Sequence, residues 1–260
     1  MERLINIEYN LPLGLYHNLN ARLQHAYIFL LEGISRMEQK VCVPLFNPDE
    51  LLKVYEAMHY DYPEIKLVWW YKESKYSIRQ IDTRQKEMTL YIKYYGSYDF
   101  VKQRLQNIEL KAAQIIEICL YGEKITDDEI IRRICTYMAG SYRYADRQAD
   151  GEYPEYAYTL ECLVRGEGVC AGFSSALTYI LRMLQIPVMT VGGKANGMYF
   201  FGHAWNIVQR SDGTYWHIDL TWDLEHELEK PQYFELDDGA MRARSHYWNG
   251  IEYPICGGMS

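Results

Sequence analysis

Apolar residues at helical spacing alternate along the chain with short runs of strand-forming residues. Residues 17–37 and 99–121 place apolar side chains at every third or fourth position, which predicts two helices. Asn47 and Pro48 are typical of a helix start and predict a third helix to about residue 58. Three segments rich in β-branched and aromatic residues predict the strands of a small antiparallel sheet: 67–71, 76–81 and 88–95.

In the second half, Thr126 begins a capping box and a predicted helix to about Ala139. Residues 151–165 show no periodic pattern and are predicted to be irregular. A helix opening at Cys170 and strand-rich segments up to about residue 223 then follow. Together these predict helices packed on one side of an antiparallel sheet, an α+β fold.

Cys170 stands at the predicted start of its helix, between Gly168 and Gly172. Unpaired N–H groups and the helix dipole favour a thiolate at such a position, and the same groups can hold an oxyanion. The dipole contributes about 0.3–1 kcal/mol, whereas bringing a thiol from a pKa of about 8.5 to below 7 needs more than about 2 kcal/mol. A nearby base, usually histidine, is therefore required.

The base and its partner are expected on a β-hairpin formed by GHAWNIV and TYWHIDLTW, joined at residues 211–213. A two-residue turn would leave Asp219 on the face opposite His203. A three-residue loop with a left-handed Gly213 would place Asp219 on the same face and within reach. We predict this loop, with Asp219 orienting the ring of His203 while the other ring nitrogen faces the sulfur of Cys170.

Other residues compete for these roles. His217 shares the predicted face and lies two residues from Asp219, but His203 reaches the carboxylate across the strands, as a base requires. Asp212 belongs to the turn, and Asp223 would take the acid role only if the hairpin slipped by one position.

Three motifs in this order, GEGVCAGF, HAWNIV and HIDLTWD, resemble the bacterial transglutaminase-like superfamily, distantly related to papain-type cysteine proteases. The resemblance implies a transglutaminase-like or papain-like fold in which the nucleophile helix packs on an antiparallel sheet. It also implies that Cys170 is the nucleophile, His203 the base and Asp219 the orienting acid.

The resemblance runs from about Tyr142 to Asp223, and YFELDD and His246 also look like that family's tail. The match is weaker at residues 142–146. It leaves the side-chain member of the oxyanion hole unassigned.

Composition changes this picture little. A hydrophobic fraction of 48% and a charged fraction of 24% are ordinary for a globular protein. We expect two regions, an N-terminal α+β extension over residues 1–96 without recognisable chemistry and a catalytic domain over residues 97–260. The net charge of −8 argues against nucleic acid as the partner.

The sequence has neither a recognisable signal peptide nor an apolar run of about 18 residues. We therefore expect no transmembrane segment and a cytoplasmic location, or secretion if a leader was removed. The six scattered cysteines are too sparse for a disulfide scaffold and are expected to be reduced. No ligand pattern suggests zinc or calcium, so no metal or cofactor is expected.

Two functions are open. In the first, the chain is a cysteine peptidase or amidohydrolase that acts on protein or peptide amides through a thioester, with deamidation or cross-linking as variants of the same chemistry. In the second, it is a non-catalytic module that holds a peptide or glycan in the same cleft. The sequence indicates neither the substrate's identity nor the oligomeric state.

Overall fold

The computed structural model describes residues 2–8, 11–82, 86–122, 125–195, 202–224 and 232–258. The chain divides into two compact units, Met1–Gln106 and Asn107–Ser260, and the boundary lies inside helix α4 (Tyr98–Leu120). The functional division expected at residue 96 stays a prediction. Among the described helices, none is long and apolar enough to cross a membrane.

The first unit combines helices with a three-stranded antiparallel sheet in the order β1-β3-β2. Its elements are α1 (Ala21–Ser35), β1 (Lys40–Val43), α2 (Pro48–Asp61), α3 (Ile65–Val68), β2 (Lys75–Gln80) and β3 (Lys86–Tyr91). The predicted helix start is confirmed at α2, where the Asn47 side chain accepts the backbone N–H of Glu50 at 3.0 Å.

The strand predicted at residues 67–71 is wrong. Leu67 and Val68 belong to α3, and Trp69 makes only an isolated bridge to Tyr94. All three residues of this apolar run are almost fully buried. A short run buried on every side fits a helical turn as well as a strand, so its pattern could not decide between them.

The second unit carries a four-stranded antiparallel sheet in the order β8-β7-β6-β9 and a separate parallel pair, β4 with β5. The helices are α5 (Asp127–Ser141), α6 (Glu161–Arg165), α7 (Cys170–Met183), α8 (Leu220–Asp223) and α9 (Asp238–Ala243). The strands are β4 (Arg143–Tyr144), β5 (Glu167–Gly168), β6 (Val188–Ala195), β7 (His203–Gln209), β8 (Tyr215–Ile218) and β9 (His246–Tyr247). The segment 151–165, predicted to be irregular, ends in α6.

Helix α7 packs against β6 and β7. Its fully buried side chains include Phe173, Leu177 and Ile180, and burial of such a side chain contributes about 1.5–3 kcal/mol. Asn206 in β7 fixes the register of this packing, because its amide donates to the carbonyl of Ser174 at 3.0 Å and to the hydroxyl of Thr178 at 2.9 Å. The predicted packing of the helix that opens with Cys170 on an antiparallel sheet is confirmed.

The hairpin register is also as predicted. The backbone of Arg210 donates to Thr214 at 2.9 Å across a three-residue loop, and Gly213 has a φ of 85°. Glycine adopts this left-handed conformation without the steric cost that other residues meet. Asp128 at the start of α5 accepts the N–H of Ser211 at 3.1 Å, which holds the loop against that helix.

Candidate active site

Cys170 is the first residue of α7 and is partly exposed. Val169 occupies the N-cap position and makes no side-chain hydrogen bond to the helix. The positive end of the helix dipole therefore acts on the thiol without competition from a capping hydroxyl or carboxylate.

Two glycines allow the chain to pack tightly behind Cys170. A Cβ atom added at Gly172 would lie 2.2 Å from the carbonyl oxygen of Ala157, and one added at Gly168 would lie 2.8 Å from the Cβ of Cys162. Neither position could carry a side chain without a shift of the surrounding chain. The glycines thus fix where α7 begins.

His203, the first residue of β7, lies beside Asp219, which follows β8. Nε2 of the ring and Oδ2 of the carboxylate are 2.5 Å apart. The side chain of Cys170 is near enough to the same ring to raise the pKa of His203, and since Nε2 faces the carboxylate, Nδ1 is the nitrogen left for the sulfur. The structure therefore brings together the three residues singled out from the sequence, in the order sulfur, imidazole, carboxylate.

Asp219 differs from expectation in its backbone setting, because it is the N-cap of α8 rather than a strand residue. Its Oδ1 accepts the backbone N–H groups of Thr221 at 3.1 Å and Trp222 at 3.4 Å. Its Oδ2 accepts from His203 at 2.5 Å and from His246 at 2.9 Å. Each oxygen of this fully buried carboxylate thus accepts two hydrogen bonds.

Charge pairing dominates the electrostatics of this pair. Burial opposes a charge on His203, but the carboxylate of Asp219 and the hydrogen bond with Cys170 raise the pKa of His203 to about 10. Burial would likewise raise the pKa of Asp219, but His203 and His246 outweigh it and hold that pKa below its ordinary value. The site therefore favours an imidazolium between two acidic groups.

Two tryptophans enclose the ring of His203. Trp205 stacks on it with ring centroids 5.7 Å apart, and Trp222 approaches edge-on at 6.2 Å. They limit the orientations that the imidazole can take.

Tyr144 is a site residue to which the sequence gave no role. The backbone of β4 pairs with β5, so that Tyr144 lies opposite Gly168, two residues before Cys170. Its hydroxyl is near enough to the backbone N–H of Cys170 for that group to act on the pKa of the phenol. Burial, together with Cys170 and Tyr153, raises the pKa of Tyr144, so the phenol keeps its proton and remains a hydrogen-bond donor.

The tyrosines next to Tyr144 continue as an aromatic surface. The ring of Tyr153 meets the rings of Tyr144 and Tyr158 edge-on, with centroid distances of 5.7 Å and 6.3 Å. The guanidinium of Arg147 lies 4.3 Å from the centroid of the Tyr153 ring. Tyr158 also interacts electrostatically with Cys170. Tyr144, Tyr153 and Tyr158 thus form one aromatic surface next to Cys170.

His246 is the second residue with no role assigned from the sequence. It reaches Asp219 because β9 pairs with the end of β6, with His246 opposite Ala195. Gly193 makes this possible, since a Cβ there would lie 2.5 Å from the carbonyl oxygen of Tyr247 and 2.5 Å from the ring of Trp205. The only sequence signal was the likeness of the YFELDD and His246 segment to the family's tail.

The competing residues have other partners. His217 is fully buried, accepts the indole N–H of Trp205 at 3.0 Å and faces Asp238 at 3.0 Å. Asp212 accepts from Thr214 within the turn. Asp223 accepts the N–H groups of residues 232 and 233, at 2.8 and 3.0 Å.

Two clusters of described residues bring three potential metal ligands within 4.8 Å: His203, Asp219 and His246, and His217, Asp238 and Cys256. In the second cluster, the indole N–H of Trp205 occupies the Nδ1 lone pair of His217. Nε2 must then carry the proton of a neutral ring and has no lone pair for an ion. That no metal takes part in the chemistry stays a prediction.

Comparison with known proteins gives one family and distant structural likenesses. No curated protein matches the chain. The chain is similar in structure to a protein described as a TGase, with 19% identity, a TM-score of 0.39 and coverage of 56% of this chain. It covers only 44% of that protein's length. It is also similar to the periplasmic domain of TgpA from Pseudomonas aeruginosa, with 15% identity, a TM-score of 0.34 and coverage of 72% of each chain.

The family comparison is specific to the part of the chain that carries the site. Residues 120–220 match the family model of the transglutaminase-like superfamily. This segment contains Cys170, His203 and Asp219 and ends at α8. Over residues 120–220, the chain is therefore similar to the transglutaminase-like superfamily.

Proposed function

We propose that the chain is a cysteine peptidase or amidohydrolase that cleaves amide bonds of proteins or peptides through a thioester. The observation that carries this proposal is the 2.5 Å contact between Nε2 of His203 and Oδ2 of Asp219, with the thiol of Cys170 on the same ring. A thiol, a base and an orienting acid in this order are the parts of an activated nucleophile.

In the first half-reaction, the Cys170 thiolate attacks the amide carbonyl carbon and forms a C–S bond, while the carbonyl oxygen becomes an oxyanion. As the tetrahedral intermediate collapses, the C–N bond breaks. His203 gives its proton to the leaving amine, which departs neutral. The acyl group remains on the sulfur as a thioester.

In the second half-reaction, the neutral ring of His203 takes a proton from water as the water oxygen attacks the thioester carbonyl. The C–S bond then breaks, the acid is released, and the thiolate and imidazolium are restored. Asp219 keeps the ring oriented through both steps. We assign hydrolysis because water needs no second substrate site, whereas an amine acceptor would give cross-linking by the same route.

Tyr144 supports the oxyanion in this proposal. Its hydroxyl is close to the backbone N–H of Cys170, so a substrate carbonyl oxygen that accepts this N–H could also accept the phenol O–H. Two donors from different elements would then converge on the developing negative charge. Tyr144 is thus our candidate for the side-chain member of the oxyanion hole.

Incubation with a peptide library tests the proposal. Wild-type protein and a Cys170→Ala variant would be compared by mass spectrometry for cleavage, deamidation and cross-links. Cys42→Ala is the matched control, because it removes an exposed thiol in the other unit. We expect products from the wild type and the control but not from Cys170→Ala.

Other results would change the assignment. Equal products from all three proteins would refute the proposal, since the thiol of Cys170 would not be the nucleophile. Retention of peptides by both wild type and Cys170→Ala, without any product, would favour a binding module.

A further inference from the structure

The hydrogen bonds of His246 set its protonation. Nδ1 lies 3.0 Å from the carbonyl oxygen of Arg244, and Nε2 lies 2.9 Å from Oδ2 of Asp219. A backbone carbonyl and an ionised carboxylate can only accept hydrogen bonds. Both ring nitrogens must therefore carry hydrogen, which makes the ring an imidazolium.

Aromatic rings surround this cation. Trp205 meets the ring of His246 at 5.2 Å, Trp222 at 5.4 Å and Tyr233 at 5.6 Å, with interplanar angles of 88°, 65° and 50°. These centroid distances lie within about 6 Å, the range of cation–π contacts. Both His246 and Asp219 have fully buried side chains, so the attraction between them is weakly screened.

A charge count shows what the cation does. When the thiol of Cys170 is ionised and His203 is protonated, the site holds two negative groups, Cys170 and Asp219. His203 alone would leave a net charge of −1 inside the protein, which is costly to bury. A positive His246 makes the four groups neutral together.

We propose that His246 is a charged positioning residue: a buried imidazolium that holds Asp219 for His203 and balances the charge of the Cys170–His203 ion pair. The proposal rests on the proposed function for its importance, but the charge on His246 can be measured without any substrate. His246 itself touches no reacting atom; it acts through Asp219.

A protonated His203 opposes the charge on His246, and the carboxylate of Asp219, which accepts from both rings, offsets this repulsion. His203 lies 5.4 Å away between ring centroids, and the phenol of Tyr233 packs against the ring. Repulsion from His246 is one of the contributions that lower the pKa of His217, after burial, and bring it to about 4. His217 is therefore neutral beside a charged neighbour.

The first test is nuclear magnetic resonance of the ¹⁵N-histidine-labelled wild-type protein near neutral pH. We expect both ring nitrogens of His246 to give signals of the protonated type. His217 is the internal comparison, with one protonated and one bare nitrogen. A bare nitrogen on His246 would overturn the proposal, and this experiment needs neither a variant nor turnover.

The second test is His246→Gln, because the glutamine amide can still donate to Asp219 but has no charge. Loss of the cation should make the thiolate less favourable, so the midpoint of iodoacetamide labelling at Cys170 should move up by about one pH unit. His217→Gln, which removes a neutral buried histidine, should leave the midpoint in place.

An unchanged midpoint in His246→Gln would contradict the charge role, as would an equal shift in His217→Gln, which would point to repacking instead. The proposed function fails separately. If His246 is doubly protonated but no amide is ever cleaved, the charge assignment stands and the hydrolase assignment does not.

Discussion

Replacement of Asp219 by asparagine should disable the site, although it changes only one charge and one atom. The pKa of His203 is about 10, against 6.5 for an ordinary histidine. The difference of about 3.5 corresponds to about 5 kcal/mol in favour of the imidazolium. Without the carboxylate charge, burial should dominate and leave His203 neutral at pH 7.

The hydrogen bonds of Asp219 make asparagine a poor replacement for a second reason besides the lost charge. Oδ1 of Asp219 faces two backbone N–H groups and Oδ2 faces two histidine rings. Either orientation of the amide therefore turns its NH₂ group toward donors. Each buried donor left without an acceptor costs about 1–3 kcal/mol.

We expect kcat/KM of Asp219→Asn to fall by about 10³- to 10⁴-fold, and the alkaline limb of its pH profile to move from about pH 10 toward neutrality. The assay is peptide hydrolysis across the pH range, with the rate of Cys170 alkylation as a second readout. Asp212→Asn, on the turn of the same hairpin, is the matched control and should retain activity within about threefold. An Asp219→Asn enzyme within tenfold of wild type, with its alkaline limb unmoved, would refute the reasoning.

Three further predictions concern two substitutions and the effect of pH on stability. Tyr144→Phe should lower kcat by about 10²-fold with little change in KM, because one oxyanion donor is lost; an unchanged kcat would remove Tyr144 from the oxyanion hole. Gly172→Ala should destabilise the fold by about 1–3 kcal/mol in urea unfolding, since its Cβ would lie 2.2 Å from the carbonyl of Ala157; wild-type stability would contradict that packing. Burial lowers the pKa of His217 to about 4 from 6.5, so the unfolded chain binds the proton more readily and stability is lost as pH falls from about 6.5 through about 4. Protonation of His217 should account for about 3 kcal/mol of this loss in the free energy of unfolding. If His217→Gln lost as much stability on acidification as the wild type, His217 would not be the cause.

Much of the site was predictable because its local signals agree. Cys170 opens a helix whose apolar residues recur at helical spacing, and the three-residue loop before Thr214 sets the register that aligns β7 with β8. These features depend on a few neighbouring residues and on turn chemistry, which sequence patterns report well. The contact of His203 with Asp219 follows from them.

The site residues without a predicted role are positioned by contacts between segments that lie far apart in the sequence. Tyr144 depends on the two-residue pairing of β4 with β5, and His246 depends on the two-residue pairing of β9 with β6. Strands this short leave no periodic pattern to detect. Their positions follow from packing around Gly168 and Gly193, which local propensity does not encode.

The most direct test of the ion pair between Cys170 and His203 is peptide mapping of the intact protein after brief treatment with iodoacetamide at about pH 6, where an ordinary thiol is only about 0.3% ionised. Cys42, which is exposed, serves as the reference thiol in the same sample. We expect Cys170 to be modified at least about 30-fold faster than Cys42, because only its thiolate is held by an imidazolium. Equal rates at the two cysteines would contradict the ion pair and the chemistry proposed from it.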